Sequence, residues 1–427
     1  MNAVAGIDHE RLERLRDQVL GPDFKGLPAM PQSIRLGDVG MQGWNVLRED
    51  VPLPVMTLRR SALEHNLRRM REYCETNGVE LAPHGKTTMA PQLFKLQLDA
   101  GAWGITAATA EQLLVYREFG VRRVLFANQL AGRANVDLVT HELEDDDWEF
   151  YSFVDSAAAV DQLTTRTATP GARPFRVLLE VGYPGGRSGI RDLSEVQAIV
   201  DAIRSARGRV ELAGVAGFEG LMPAEREPAK EANMRAYLRT IGDAADLLDG
   251  QGELPERFLV TAGGSAGFDH VVEELGRRWP GRATLILRSG CYITHDHDMY
   301  AHSSPLRMGD DALRPALELW SYVQSIPESG VALLTFGRRD ASYDHGYPVP
   351  LKLARAGSAT VERLDGCAIR AMNDQHAYLA TPPDVGIRVG DRVILGISHP
   401  CTAFDKWRIV LVVDDDENVV DAVLTFF

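Results

Sequence analysis

Lys86 is the residue from which chemistry can be built. It sits in Pro83-His84-Gly85-Lys86-Thr87, after a short apolar run at 79–82 and before a helix-compatible segment. A lysine at the carboxyl end of a parallel strand lies where α/β proteins place their active sites. Desolvated there, it can lose its proton and form an imine with a carbonyl. Taken alone, the stretch equally describes a solvated loop lysine. Arg187 lies in a glycine-rich segment, residues 182–189, whose backbone can turn tightly and approach a ligand. Two further segments offer anion donors. Gly263, Gly264 and Ser265 can present N–H groups and a hydroxyl, and Arg288-Ser289-Gly290-Cys291-Tyr292 follows the next apolar run. In (β/α)8 barrels a phosphate site frequently forms from the loops after strands seven and eight. A molecule bearing an aldehyde and a phosphate would use lysine and loops together. Pyridoxal phosphate is one such molecule; a phosphosugar aldolase working through a lysine imine would show similar parts.

Metal chemistry has its own candidates. His399 and Cys401 are two apart, so on an extended chain both face one side. Imidazole plus thiolate is a zinc pair, but structural zinc takes four protein ligands, so two suit a site open to substrate or water. A packed histidine beside a free cysteine is the simpler alternative. Asp405 is either a further ligand or a turn residue. His295 and His297, among carboxylates at 294–298, compete for a metal, with a polar loop as the plainer reading. His376 follows Asp374 and Gln375 at a strand start. It is open to three readings: general base, support behind another group, or surface histidine.

These residues need elements to hold them. From residue 79 onward short apolar runs alternate with helical segments. The runs are 79–82, 104–107, 124–127, 148–154, 176–181, 210–217, 258–262 and 284–288. They are continuous rather than alternating, as strands buried on both faces are. Eight such units over roughly 200 to 250 residues predict an α/β fold, a (β/α)8 TIM-type barrel. A doubly wound open sheet is the alternative, because strand order is not written in sequence. After about residue 314 short strand candidates at 316–326, 332–335, 359–364, 366–372, 377–381, 391–396 and 408–413 predict a mostly antiparallel β domain. The expected division is 1–58 as an N-terminal segment packing with the β domain, 59–315 as the cofactor-binding barrel, and 316–427 as the β domain with the metal site. Near the start, Leu12, Leu15 and Leu20 predict one amphipathic helix. Ser61 is the expected N-cap of the helix that follows a strand at 55–58.

Bulk properties narrow the function class. The chain has 427 residues, 45% of them hydrophobic and 25% charged, as in a globular enzyme. A formal net charge of −14 argues against a nucleic-acid partner. No apolar run of about 18 residues predicts a membrane span. The acidic N-terminus does not read as a secretory signal, and the four cysteines form no C-x-x-C pair. Together these predict a cytoplasmic protein with reduced thiols.

The ordered set of motifs resembles a family. Residues 83–87 are similar to the lysine motif of the D-serine dehydratase and D-threonine aldolase branch of the fold-type III, alanine-racemase-like pyridoxal phosphate enzymes. The 182–189 loop resembles that branch's glycine-arginine loop, and 263–265 with 288–292 resemble its phosphate loops. Residues 336–350, 373–379 and 398–401 follow in matching order, so the resemblance covers essentially 50–427. It implies that Lys86 carries pyridoxal phosphate as an imine and moves the α-proton. It implies that Arg187 contacts the cofactor's phenolic oxygen and that Gly263, Gly264, Ser265, Gly290 and Tyr292 belong to the cofactor site. His399 and Cys401 would hold zinc near the substrate's β-hydroxyl. The implied reaction is dehydration of D-serine or D-threonine to a 2-oxo acid and ammonia, in a head-to-tail homodimer. An aldolase releasing glycine and an aldehyde, and a non-catalytic cofactor-binding protein, are the alternatives. Thr87-Thr88-Met89 and Phe218 and Leu221 depart from the aldolase pattern, and with His399-Pro400-Cys401 they resemble bacterial amino acid deaminases.

Overall fold

The computed structural model describes residues 6–29, 32–164, 173–222 and 227–427. Eight parallel strands form one sheet: Glu80–Leu81, Ile105–Ala107, Arg123–Gln129, Glu149–Val154, Phe175–Val181, Val210–Gly217, Phe258–Ala262 and Ala283–Leu287. From the second strand to the eighth, chain neighbours are sheet neighbours, and the eighth pairs with the first through Ile286 with Glu80 and Leu287 with Leu81. The circle closes where His84 bridges Thr106 and the Trp103 N–H donates to the Leu81 carbonyl at 2.7 Å. The fold is therefore the barrel rather than the open sheet.

The continuous apolar runs follow from this closure. Alternate strand residues go to two separate cores. Ala82, Leu125, Leu178, Ala216 and Ile286 pack in a small cluster with Phe153. Val124, Phe126, Val177, Leu179, Val215 and Leu287 pack in the larger one that includes the surrounding helices. With apolar partners on both faces, both sets are mostly apolar, and Thr106, Ser152, Glu180 and Thr261 are the buried polar residues among them. The helices Ala110–Glu118, Val196–Ser205 and Pro228–Gly250 supply part of the outer layer.

Beyond the barrel the strands are mostly antiparallel. The strand Leu317–Glu328 pairs with Arg392–Gly396 on one side and with Val55–Arg59 on the other. Val55–Arg59 also lies parallel to Ile409–Val413, so it is an internal strand of this sheet. Leu20, Phe24, Leu36, Val39 and Val46 share a core with Trp320, Ile394 and Leu411. The segment before the barrel thus packs on the antiparallel sheet. Two strands, Val349–Ala354 and Val419–Leu424, were not legible in the sequence. Pro350 and Lys352 break the apolar pattern of the first, and a register shift between them absorbs the proline. Asp421 interrupts the second.

Two local expectations are corrected. The N-terminal helix spans only His9–Leu15, and Leu20 is instead buried in a two-residue ladder with Ile34–Arg35. Ser61 is not an N-cap: the helix Arg60–Asn77 begins at Arg59 without a side-chain cap, and the Ser61 hydroxyl donates to Asp415 at 2.6 Å. A parallel-strand pairing fixes Arg59, so the helix starts two residues earlier than a Ser61 cap would place it. Among the described residues no helix is long and apolar enough to cross a membrane.

Candidate active site

The first barrel strand ends at Leu81, and Gly85–Thr87 form one tight helical turn that carries Lys86. This turn has no room for a side chain at residue 85. A Cβ there would lie 2.2 Å from the Tyr116 hydroxyl oxygen and 2.8 Å from Ile105 Cγ2. Tyr116 is pinned by donating to the Thr106 carbonyl at 3.1 Å. The lysine is therefore set by close packing between the first strand's loop and the helix after the second.

The loop at 182–189 is held by a residue the sequence reading passed over. Arg191 donates to the carbonyls of Gly186, Ser188 and Gly189 at 2.9, 2.7 and 2.6 Å. This frees Arg187 to lie over the Phe218 ring, 5.3 Å from its centroid. Arg288 is buried beside the same ring, 5.8 Å from the Phe218 centroid. It donates to Thr261 Oγ1 at 2.7 Å and to the Gly217 carbonyl at 2.6 Å, not to a carboxylate. Burial lowers its pKa, a sign that its charge is only partly compensated.

These loops enclose a cavity of about 500 Å³. Lys86, Arg187, Gly264, Ser265, Gly290, His399 and Cys401 all line it. One chain thus brings the lysine and the metal candidates together. Three expected site residues lie outside the lining. Gly263 is behind Gly264. The Tyr292 side chain is turned into the core, with only 3% of its surface exposed, and its phenol is pushed up by burial. His376 is exposed, on the turn joining Ala368–Met372 to Ala377–Ala380.

The glycine loop after the seventh strand differs in detail from its sequence reading. Gly263 and Gly264 donate their N–H groups to the two carboxylate oxygens of Glu219, at 3.0 and 2.6 Å. The anion they hold is a buried side chain. Glu219 lies just beyond the sixth strand, and a carboxylate at a strand end is the signal that points to it. Gly290 must be glycine, since a Cβ would meet the His84 carbonyl and Thr87 Oγ1, each at 2.7 Å.

His399 and Cys401 do not sit on an extended chain. The strand ends at Gly396, Pro400 is helical, and Cys401 opens a short helix to Phe404. They converge through this turn instead. His399 Nδ1 lies 2.7 Å from Asp344 Oδ2, and Cys401 Sγ lies 3.3 Å from Thr87 Oγ1 and 3.2 Å from Cys291 Sγ. Burial opposes a charge on His399, but Cys401 and Asp344 push its pKa up to about 9. The hydrogen bond from Cys291 holds the Cys401 thiol well below the usual range, against its burial and with help from His399 and Thr87. Donor atoms of Asp344, His345 and His399 also lie within 4.8 Å of one another.

The competing clusters have other work. Asp296 accepts from the N–H groups of Asp298, Tyr300 and Ala301, so it organises the 294–303 loop. His295 is buried and His297 partly buried in that loop, and desolvation lowers both to about 4. Asp405 lies 3.5 Å from Lys406 and does not line the cavity.

The cavity walls can be tested against pyridoxal phosphate. They present three cationic side chains, Lys86, Arg187 and Arg288. His84 Nδ1 and Arg288 Nε are buried without a hydrogen-bond partner in the structure, which leaves polar demand at the wall. An anionic aldehyde matches this set, with Ser265 and the Gly290 loop as its remaining backbone surroundings. Imidazole beside thiolate, with a carboxylate behind the imidazole, matches a zinc-like cation.

Fold and cavity together define a barrel enzyme of the pyridoxal phosphate type. The alanine racemase N-terminal domain matches residues 58–277, and a D-serine dehydratase-like domain matches residues 316–413. The chain belongs to the alanine racemase N-terminal domain family, the fold-type III pyridoxal phosphate enzymes. It is 25% identical to a D-threonine aldolase of Arthrobacter sp. over 83% of this chain and 88% of that one. It is 29% identical to a D-threo-3-hydroxyaspartate dehydratase of Delftia sp. over 34% of this chain and 37% of that one. The structure of D-threonine aldolase from Filomicrobium marinum superposes with a TM-score of 0.75 at 22% identity, covering 90% of this chain and 97% of that one. These relatives are lyases of D-amino acids.

Proposed function

We propose that this chain is a pyridoxal phosphate- and zinc-dependent dehydratase of a D-β-hydroxy amino acid such as D-serine or D-threonine, yielding a 2-oxo acid and ammonia. The observation that carries the reading is the shared cavity: Lys86 and the His399/Cys401 pair line one space. A lysine that takes an α-proton and a Lewis acid that assists a β-hydroxyl are the two groups a β-elimination needs. Pyridoxal phosphate, when bound, supplies an electron sink for the charge left on Cα. A metal on His399 and Cys401 supplies Lewis acidity toward the departing hydroxyl. The protein's own residues do the rest. The Lys86 amine holds and moves the α-proton. Arg187 and Arg288 attract the anionic groups of cofactor and substrate, and Phe153 and Phe218 exclude water from that wall. Phe218 also backs the Arg187 guanidinium, which keeps it from swinging into solvent.

Retro-aldol cleavage is the second reading, favoured by the Arthrobacter relative that matches over most of the chain. It requires a base for the β-hydroxyl. The segment between Lys86 and the helix Pro91–Asp99 offers Thr87, Thr88 and Met89 there, none of which is a base near neutral pH. His84 lines the cavity, and burial next to Lys86 and Arg288 keeps it uncharged; it is the base this second reading would use. One assay separates the two. Purified enzyme is incubated with D-serine and D-threonine, and ammonia, 2-oxo acid and glycine are measured together. Ammonia and oxo acid in equal amounts are expected, lost on chelation of the metal. Glycine with an aldehyde would replace this reading by the aldolase one.

On the same family ground we propose a homodimer. His376, exposed on its hairpin, does not line the cavity that holds Lys86.

A further inference from the structure

We propose that Cys291 is a third protein ligand of the metal, so that two thiolates and one imidazole hold a thiophilic divalent cation and leave one position open. The inference rests on the metal reading above and deepens it, naming the ligand set and the class of metal.

Three observations carry it. Cys291 Sγ and Cys401 Sγ approach to 3.2 Å although 110 residues separate them in the chain. Both reach the same hydroxyl, Thr87 Oγ1, at 4.0 and 3.3 Å. Both line the cavity with His399. Two sulfurs so close must share a proton or a cation, because two bare thiolates would repel. On a tetrahedral ion with metal–sulfur bonds of about 2.3 Å they would stand about 3.8 Å apart. The pair would have to open by only about 0.6 Å, within the play of a side chain. Cys291 is itself fixed: its carbonyl accepts the His295 N–H at 2.7 Å, in the turn Cys291–Ile293.

The third donor is already oriented. Asp344 occupies Nδ1 of His399, which leaves Nε2 for a metal, the arrangement by which carboxylates fix ligating histidines. Two thiolates and an imidazole with an open fourth position form a catalytic zinc geometry. Such soft donors select zinc over magnesium or calcium. The competing donor set, Asp344, His345 and His399, contains no sulfur. That difference makes the proposal measurable without any turnover.

The test uses the full chain with pyridoxal phosphate bound. Zinc X-ray absorption on the wild type is expected to find two sulfur scatterers per metal. Cobalt(II) substitution is expected to give a thiolate-to-metal charge-transfer band that falls to roughly half in Cys291→Ser. Chelator competition should show that variant binding metal at least about tenfold more weakly. The bound-cofactor absorbance of Cys291→Ser reports that its fold is intact. One sulfur per metal, or a charge-transfer band and affinity unchanged in Cys291→Ser, overturns the role of Cys291 and leaves His399 and Cys401 in place. No sulfur at the metal, or no bound metal, overturns the underlying metal reading as well. The wild-type absorption measurement decides the matter even if the variant does not fold.

Discussion

Glu219 shows how one side chain can take over backbone work. Its two oxygens accept from Gly263 and Gly264, and it is fully buried beside the cationic wall of the cavity. In Glu219→Gln an amide NH2 must face one of those N–H donors, leaving it unsatisfied. A loss of about 1–3 kcal/mol in urea unfolding is expected, with weaker cofactor retention on dialysis. Unchanged stability would mean that the glycine loop does not depend on this carboxylate. The same residue explains why the glycine loop was misread in part. A Gly-Gly pair announces available N–H groups but not what they hold. Lys86, by contrast, lines the cavity as its place at a strand end suggested, although the residue alone equally described a solvated lysine.

At the scale of elements, the lysine turn depends on the helix beside it. Gly85→Ala would drive a methyl into Tyr116 and Ile105. Overpacking of this kind costs about 1–3 kcal/mol, and here the strain falls on the residue next to Lys86. Thermal unfolding and cofactor absorbance should both fall; if only stability falls, the lysine's position does not depend on Gly85. The 294–303 loop sets a pH limit. His295 and His297 have folded pKa values of about 4, below the ordinary 6.5. Their contribution to stability is present above pH 6.5 and is lost as pH falls through 4. Asp296, raised by burial to about 6, works the other way, favouring the fold as it gains its proton. Two histidines against one carboxyl leave a net loss of stability between pH 6.5 and 4. Urea midpoints across that window should show it, and His295→Gln with His297→Gln should flatten the slope.

At the scale of the molecule, the strand Val55–Arg59 anchors the antiparallel sheet at the point where the chain enters the barrel's helix Arg60–Asn77. Arg59 donates to Glu318 at 2.8 Å and to Glu417 at 2.7 Å, both carboxylates nearly buried. Despite its burial, Arg59 and Lys352 hold the Glu318 carboxyl below its usual range. Arg59→Ala strands these charges and is expected to cost about 3–5 kcal/mol. A drop in melting temperature, with loss of metal and cofactor together, would show that barrel and β sheet are held as one unit. Separate transitions for the two would show that they are not.

Periodicity alone determined the eight buried parallel strands and the mostly antiparallel half, while closure of the strands into a barrel was decided by the pairing of the eighth with the first. Strands buried on both faces leave continuous apolar runs, and those runs survive any arrangement of the loops. Residue type made Lys86, Arg187, His399 and Cys401 candidates, and the ordered resemblance of their motifs to a family gave them roles. Tertiary structure decided their company. Cys291 and Cys401 are separated by 110 residues and meet at 3.2 Å, a proximity no spacing encodes. Arg288 on the Gly217 carbonyl and Glu219 in the glycine loop are contacts between different barrel-strand ends. They exist only once eight strands close and bring their loops to one rim. Tyr292 turned inward and His376 turned out to solvent for the same reason: side-chain direction is fixed by packing around a residue, not by the motif that contains it.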